Sequence, residues 1–177
     1  MKINPLMLAP PVFFLAFAAF ALVGMFRDDP DSLPSAREGQ VVPTMTITQL
    51  ADKPGFDAEA LKTGGVKLVN YWASWCAPCR AEHPTFTNLA EEGVAIYGIN
   101  YKDRERDALA FLDELGDPYV AIGADVEGRT GLDWGLYGVP ETYVVDGQGR
   151  IVLRFAGPVT SRVLEETIRP AMEAAAN

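Results

Sequence analysis

Val66-Lys67-Leu68-Val69-Asn70-Tyr71-Trp72-Ala73-Ser74-Trp75-Cys76-Ala77-Pro78-Cys79 is the stretch from which the fold can be read. Its first half is a short apolar run suited to a buried strand. Its second half holds the only two cysteines of the chain, two residues apart, where a helix begins and runs to about Glu91, broken by Pro84. A thiol at a helix start faces unpaired backbone N–H groups and the positive end of the helix dipole, which favour its thiolate. Pro78 suits the first turn, where its missing N–H has no partner to lose. Strand, cysteine pair and helix start thus form one unit.

Outward from that unit the chain alternates. Val94 to Asn100 is a second strand. Arg104 to Leu115 places Ala108, Leu109, Phe111, Leu112 and Leu115 on one helical face. Thr142 to Val145, the turn Asp146-Gly147-Gln148-Gly149, and Ile151 to Phe155 read as a hairpin. Ser161 to Ala175 closes with a helix that Pro170 kinks or divides. Right-handed crossovers make the first two strands parallel, and the hairpin adds antiparallel strands to the same sheet. The expectation is a single α/β domain, a mixed sheet with helices on both faces.

Leu6 to Phe26 carries no charged residue. A run of about 20 apolar residues matches the hydrocarbon thickness of a bilayer, and it lacks the polar stripe of a core helix. A cleaved signal peptide is the rival. Its apolar region is usually about 7–15 residues with a small-x-small cleavage site after it, whereas this run is longer and ends in Val23-Gly24-Met25-Phe26. The expected organisation is an uncleaved transmembrane anchor over 1–27, a linker rich in Asp, Pro and Ser over 28–40, and the α/β domain over 41–177. Among 177 residues the formal net charge is −9. That argues against nucleic acid, whose phosphates need a basic face.

Four readings of the cysteine pair compete. A disulfide across two residues closes too small a loop to stabilise much. A structural zinc site needs four ligands, and the chain offers two cysteines and one histidine, His83. Two inert buried cysteines fit poorly with a helix start. Redox cycling fits the spacing in an α/β unit. In that reading Cys76 is the exposed nucleophile and Cys79, one turn in, the shielded resolving thiol. His83 is expected on an exposed helix face rather than with the cysteines around a metal.

Trp75-Cys76-Ala77-Pro78-Cys79 after a hydrophobic strand, with Pro84 five residues beyond Cys79, resembles the thioredoxin family active site. Asn70 to Trp75, Cys79 to Pro84, Gly98-Ile99-Asn100-Tyr101-Lys102-Asp103, and Asp133 to Tyr137 leading into Gly138-Val139-Pro140-Glu141-Thr142 resemble its CcmG/DsbE group, which serves cytochrome c maturation and is related to membrane-anchored TlpA/ResA-type reductases. The resemblance spans roughly residues 64 to 158; residues 41 to 50 depart from it in lacking a Pro- and Leu-rich start. It implies a thioredoxin-like sheet flanked by helices and a cis-Pro140 facing the cysteines. It also implies a disulfide reductase acting on apocytochrome c, or on a chaperone partner holding it, so that haem can be attached. The body would lie in the periplasm on a single-pass anchor in the bacterial inner membrane, re-reduced by a membrane electron donor of the CcdA/DsbD type. No cofactor and no metal is expected. Val139 is expected to offer its backbone to an extended substrate, and Trp75 to pack on the rim of the site. Glu82 and Glu141 are expected near the cysteines, raising the Cys76 pKa or taking the Cys79 proton. A reductase or metallochaperone for copper-site assembly in a respiratory oxidase is the alternative.

Overall fold

The structure is a computed structural model and describes residues 5–25 and 37–176. The chain divides into two units, Met1–Pro34 and Ser35–Asn177. In the first, α1 (Pro5–Met25) is a helix of 21 residues. Its side chains are described over 9–22, where Phe13, Phe14 and Phe20 are exposed. Among the described residues no helix is long and apolar enough to cross a membrane. The ends of the expected anchor (1–4 and 26–27) and most of the linker (28–36) lie outside the described residues.

The second unit is built on a six-stranded sheet. Its strands are β1 (Thr48–Gln49), β2 (Lys67–Trp72), β3 (Ala95–Tyr101), β4 (Ala121–Asp125), β5 (Glu141–Val145) and β6 (Ile151–Ala156), in the order β1-β4-β3-β2-β5-β6. β2 pairs in parallel with β3, and β3 with β4; β5 runs antiparallel to both β2 and β6. The mixed sheet expected from the sequence is present. β2 is buried along its whole length, as a central strand covered on both faces must be.

Side-chain alternation along β2 sorts the core. Leu68 packs with Phe86 and Leu89 of α2 (Ala77–Glu91), and Trp72 with Ala108 and Phe111 of α3 (Glu105–Leu115). Val69 and Tyr71 point the other way, to Trp134 of α4 (Arg129–Trp134). The helices α2 and α3 share a face because both parallel crossovers step in one direction with one hand.

Several local expectations need correction. Pro84 does not break α2, which runs through it; the proline is exposed, so the Arg80 carbonyl, deprived of its i+4 donor, faces the solvent side. β4, α4 and β1 were not anticipated. β4 is Ala- and Gly-containing, α4 has only six residues around Gly131, and β1 has two. Val41 forms a bridge with Arg150, which answers how the domain begins. The closing helix changes its winding at the expected place: α5 (Ser161–Val163) passes through a π-helical segment, Leu164–Ile168, into α6 (Arg169–Ala175), whose first turn holds Pro170.

The β5–β6 hairpin is fastened at both ends. At the turn, the Asp146 carboxylate accepts the N–H groups of Gln148 and Arg150, both at 2.8 Å, and Gly149 takes φ +77°, a conformation open to glycine without steric cost. At the other end Arg154 donates two hydrogen bonds to Glu141, at 2.8 and 2.7 Å, with side-chain exposures of 4% and 2%. Removing one partner of such a buried pair leaves an uncompensated charge. Arg154→Met is therefore expected to lower stability by about 3–5 kcal/mol, read from the urea midpoint at constant m. A loss below about 1 kcal/mol would assign the pair no more than a surface contribution.

Candidate active site

Cys76 is the N-cap of α2. Its backbone is extended (φ −90°, ψ 104°), and its sulfur accepts the N–H of Cys79 at 3.1 Å. Its own N–H is tied back to the Ala73 carbonyl at 3.2 Å, so the loop after β2 closes as a tight turn. The helix thus starts on a sulfur where a serine or aspartate oxygen is usual, and Pro78 sits in the first turn. Cys76 and Cys79 are disulfide-bonded. Both are buried, with 3% and 1% of their surface exposed. This corrects the expectation of an exposed Cys76: the order of exposure holds, but the pair belongs to a buried cluster with Trp72, Ala73, Ala108 and Phe111, against which Val139 packs.

The surroundings of the pair come from two directions. Trp75, 59% exposed, stands at the surface with its indole N–H donated to the Lys102 carbonyl at 3.1 Å. The Val139–Pro140 peptide bond is cis and precedes β5. Between that loop and α2 lies a cavity of about 380 Å³, lined among others by Pro78, Tyr137, Gly138, Val139, Pro140 and Pro158. Among the described residues none hydrogen-bonds the Val139 backbone, which leaves its N–H and C=O available to another chain.

The two glutamates have opposite surroundings. Glu82, one turn beyond Cys79 on the buried face of α2, is 3% exposed. Its oxygens accept from Asn70 Nδ2 at 3.1 Å and from the Val159 N–H at 2.8 Å. Burial outweighs these two bonds and raises its carboxyl to about 7. Asn70 also donates to Thr142 Oγ1 at 3.3 Å and accepts from the Tyr119 hydroxyl at 2.8 Å, so Glu82 sits at one end of a buried polar layer. Burial pushes the Tyr119 phenol well up. A methyl group on Gly98 would meet the Tyr119 ring at 2.9 Å; the glycine lets that ring lie on the sheet and stack on Trp72.

Glu141 does not face the cysteines. Strand parity turns it to the side of Tyr143 and Trp134, away from α2. There its carboxylate is engaged by Arg154, by the Tyr143 hydroxyl at 3.0 Å, and by the N–H groups of Tyr137 (2.8 Å) and Gly138 (3.3 Å). What it touches is the backbone of the loop that leads to Val139 and Pro140.

His83 is likewise corrected. It is 2% exposed, lies edge-on to Phe111 at 5.0 Å, and its Nε2 is 2.8 Å from the Gly116 carbonyl. Its position four residues after Cys79 puts it on the same buried stripe of α2. Among the described residues no three His, Cys, Asp or Glu side chains are placed to hold a metal ion.

Sequence reasoning assigned no role to Ser74, Asn100 or Asp103, although all three lay inside the motifs it quoted. The Asp103 carboxylate accepts from the Ser74 N–H (2.6 Å), the Ser74 hydroxyl (2.8 Å) and Asn100 Nδ2 (3.0 Å). Arg154 was missed as well; its partner Glu141, a carboxylate inside a strand, was the available signal.

The Redoxin family model matches residues 37–169. The thiol:disulfide interchange protein HelX of Rhodobacter capsulatus is 43% identical over 98% of this chain and 99% of its own length. The DsbE homologue of Paracoccus denitrificans is 45% identical, with coverages of 98% and 97%, and Escherichia coli DsbE is 43% identical, with 94% and 93%. Among solved structures, the thioredoxin domain of a thiol-disulfide oxidoreductase from Bacteroides vulgatus superposes with a TM-score of 0.60 at 25% identity, covering 78% of this chain and 98% of that one. The chain belongs to the redoxin family and, within it, to the DsbE-type thiol:disulfide interchange proteins: it is a thiol–disulfide oxidoreductase.

Proposed function

We propose that this oxidoreductase works as a reductase, tethered to the bacterial inner membrane, that opens disulfides of apocytochrome c or of a maturation partner holding it. The observation that carries the reading is the Cys76–Cys79 pair at the start of α2, beside a groove whose Val139 backbone is available for pairing. The uncharged run Leu6–Phe26 supports the tether, with 1–27 as anchor, 28–40 as linker and 41–177 as the periplasmic domain. A donor of the CcdA/DsbD type in the same membrane would return electrons, since a reductase in an oxidising compartment must be kept reduced kinetically.

In the reduced protein the Cys76 thiolate attacks one sulfur of the substrate disulfide. A mixed disulfide forms, and the other substrate sulfur leaves as a thiolate. Cys79 then attacks the Cys76 sulfur, releasing the second substrate thiolate and restoring the Cys76–Cys79 bond. Two electrons pass to the substrate and two thiol protons are given up. Glu82 lies on the same helical face one turn from Cys79 and takes the Cys79 proton; a carboxyl titrating near 7 suits that exchange. Substrate pairs along Val139 in strand fashion, Pro140 keeps the loop against the sulfurs, and Trp75 borders the bound segment. Glu141 acts at one remove, holding the Tyr137 and Gly138 N–H groups so that this loop keeps its shape.

Two tests follow from these roles. The folded Glu82 is raised from 4.5 to about 7, so its contribution to stability is full below about 4.5 and is lost as pH rises through about 7. Between pH 5 and 8 the oxidised protein should lose about 2–3 kcal/mol from this group. Glu82→Gln should abolish that slope in urea unfolding and slow the resolving step at neutral pH. A variant that keeps both the slope and the rate would assign the proton to another group. The second test is capture. Cys79→Ala should accumulate a mixed disulfide through Cys76 with a cytochrome c precursor or a maturation thiol protein, identified by mass spectrometry. Recovery of no cysteine-linked partner from membranes would remove the reductase reading.

A further inference from the structure

The residues immediately before Cys76 are held from outside their own loop. Ser74 gives both its N–H and its hydroxyl to the Asp103 carboxylate, at 2.6 and 2.8 Å. Trp75 gives its indole N–H to the carbonyl of Lys102 at 3.1 Å. Both acceptors lie in one turn, at the end of β3, where the chain leaves the sheet for α3.

That turn is itself anchored. Lys102 takes φ +47°, an uncommon conformation for a residue other than glycine, and its N–H is donated to the Asp125 carbonyl at the end of β4. Asn100, a β3 residue only 2% exposed, supports the Asp103 carboxylate from beneath at 3.0 Å. Asp103 also accepts the N–H of Arg104 at 2.9 Å. A backbone outlier carries a functional reading when neighbouring contacts over-determine it, and here the contacts to β3, β4 and Arg104 hold a turn whose remaining bonds reach the two residues that precede the sulfur.

We propose that the Lys102–Asp103 turn is a clamp that sets Cys76 in register with the Val139 edge, with Asp103 as a positioning residue for the exchange reaction. The clamp fixes Ser74 and Trp75; the Ala73 carbonyl to Cys76 N–H bond closes the turn between them; and the sulfur is thereby held where a peptide paired on Val139 presents its disulfide. A small disulfide needs only to reach the sulfur. A peptide must meet Cys76 and Val139 at once, so it alone depends on the clamp. This rests on Cys76 being the attacking sulfur and on Val139 receiving the substrate.

The test compares two probes on the reduced full-length chain. One is dithiodipyridine; the other is a peptide closed by a single internal disulfide. Rate constants are taken from the alkaline plateau of each pH profile, so that the thiolate fraction does not enter, and the comparison of the two probes removes a change in nucleophilicity common to both. Asp103→Ala is expected to slow attack on the peptide about tenfold, the size of effect that slight misplacement of a reacting group produces, and attack on dithiodipyridine less than about threefold. Asp107→Asn, which removes an acidic charge from the first turn of the helix α3 that follows Asp103 without touching Ser74, should leave both unchanged. Equal losses on both probes, or none on the peptide, would overturn the clamp, as would an equal effect of Asp107→Asn. Near-ultraviolet circular dichroism checks folding. Should Asp103→Ala fail to fold, Ser74→Ala carries the test, with about a threefold loss expected on the peptide alone and no selective loss overturning the proposal. Cys76→Ser is run beside them: attack that survives it defeats the assignment of the nucleophile, whatever Asp103 does.

Discussion

The structure is organised around a sulfur acting as a helix cap. A good N-cap side chain accepts a backbone N–H, and Cys76 does so with Sγ from Cys79. The same atom must also exchange bonds, so the start of α2 cannot be an ordinary capped helix end. Everything around it serves to hold that end without the help of an oxygen cap. Pro78 fits the first turn, the Ala73 carbonyl takes the Cys76 N–H, and the Lys102–Asp103 turn takes Ser74 and Trp75. The burden that one strong side-chain cap would carry is spread over several fixed neighbours. That leaves the sulfur's other contacts to be made by a partner.

The two glutamates show how sheet parity converts one residue type into two electrostatic objects. Glu82 lies on the face that carries α2, with hydrogen-bond donors and no cation among its described partners, and burial raises it into the neutral range. Glu141 belongs to a strand position pointing the other way, where a guanidinium, a phenol and two backbone N–H groups all donate to its carboxylate. The first is suited to gaining and losing a proton. The second is fixed in place by its partners and in turn fixes the cis-proline loop through Tyr137, whose ring also lies 4.2 Å from the Arg154 guanidinium.

Long periodic segments were legible in the sequence. β2, β3, α2, α3 and the hairpin follow from apolar runs, the i, i+3, i+4 pattern and Asp-Gly turn chemistry, and their boundaries shift by a residue or so. The elements that escaped reading are short or poor in apolar side chains: β4 reads Ala-Ile-Gly-Ala-Asp, and α4 begins after a left-handed Gly128. They exist because of where they sit, β4 zipped to β3 and α4 seated by Trp134 against Tyr71 and Tyr143. At the site, the cysteines could be found by spacing and the proline through the family resemblance. The burial of His83 could not, because it depends on α3 covering a stripe of α2, and this follows only from the second crossover. The misplacement of Glu141 has a simpler origin. Proximity in sequence to Pro140 does not give proximity to the sulfurs, because alternation along an extended chain reverses side-chain direction at each residue.

The depth of Cys76 constrains what can react with it. At 3% exposure, the oxidised pair can be approached only where its enclosure is thin, and the surrounding side chains differ sharply in how easily they yield. Trp72, Phe111 and Ala108 belong to the core between sheet and helices, and moving them would open cavities that cost several kcal/mol. Val139 belongs to a loop beside an open groove, half-buried and with an unpaired backbone. An incoming chain that pairs with Val139 replaces the contacts it displaces, while a reagent without a backbone to offer does not. Burial of the sulfur and availability of the Val139 edge therefore act together: the first disfavours indiscriminate exchange, and the second admits a partner that arrives as an extended strand.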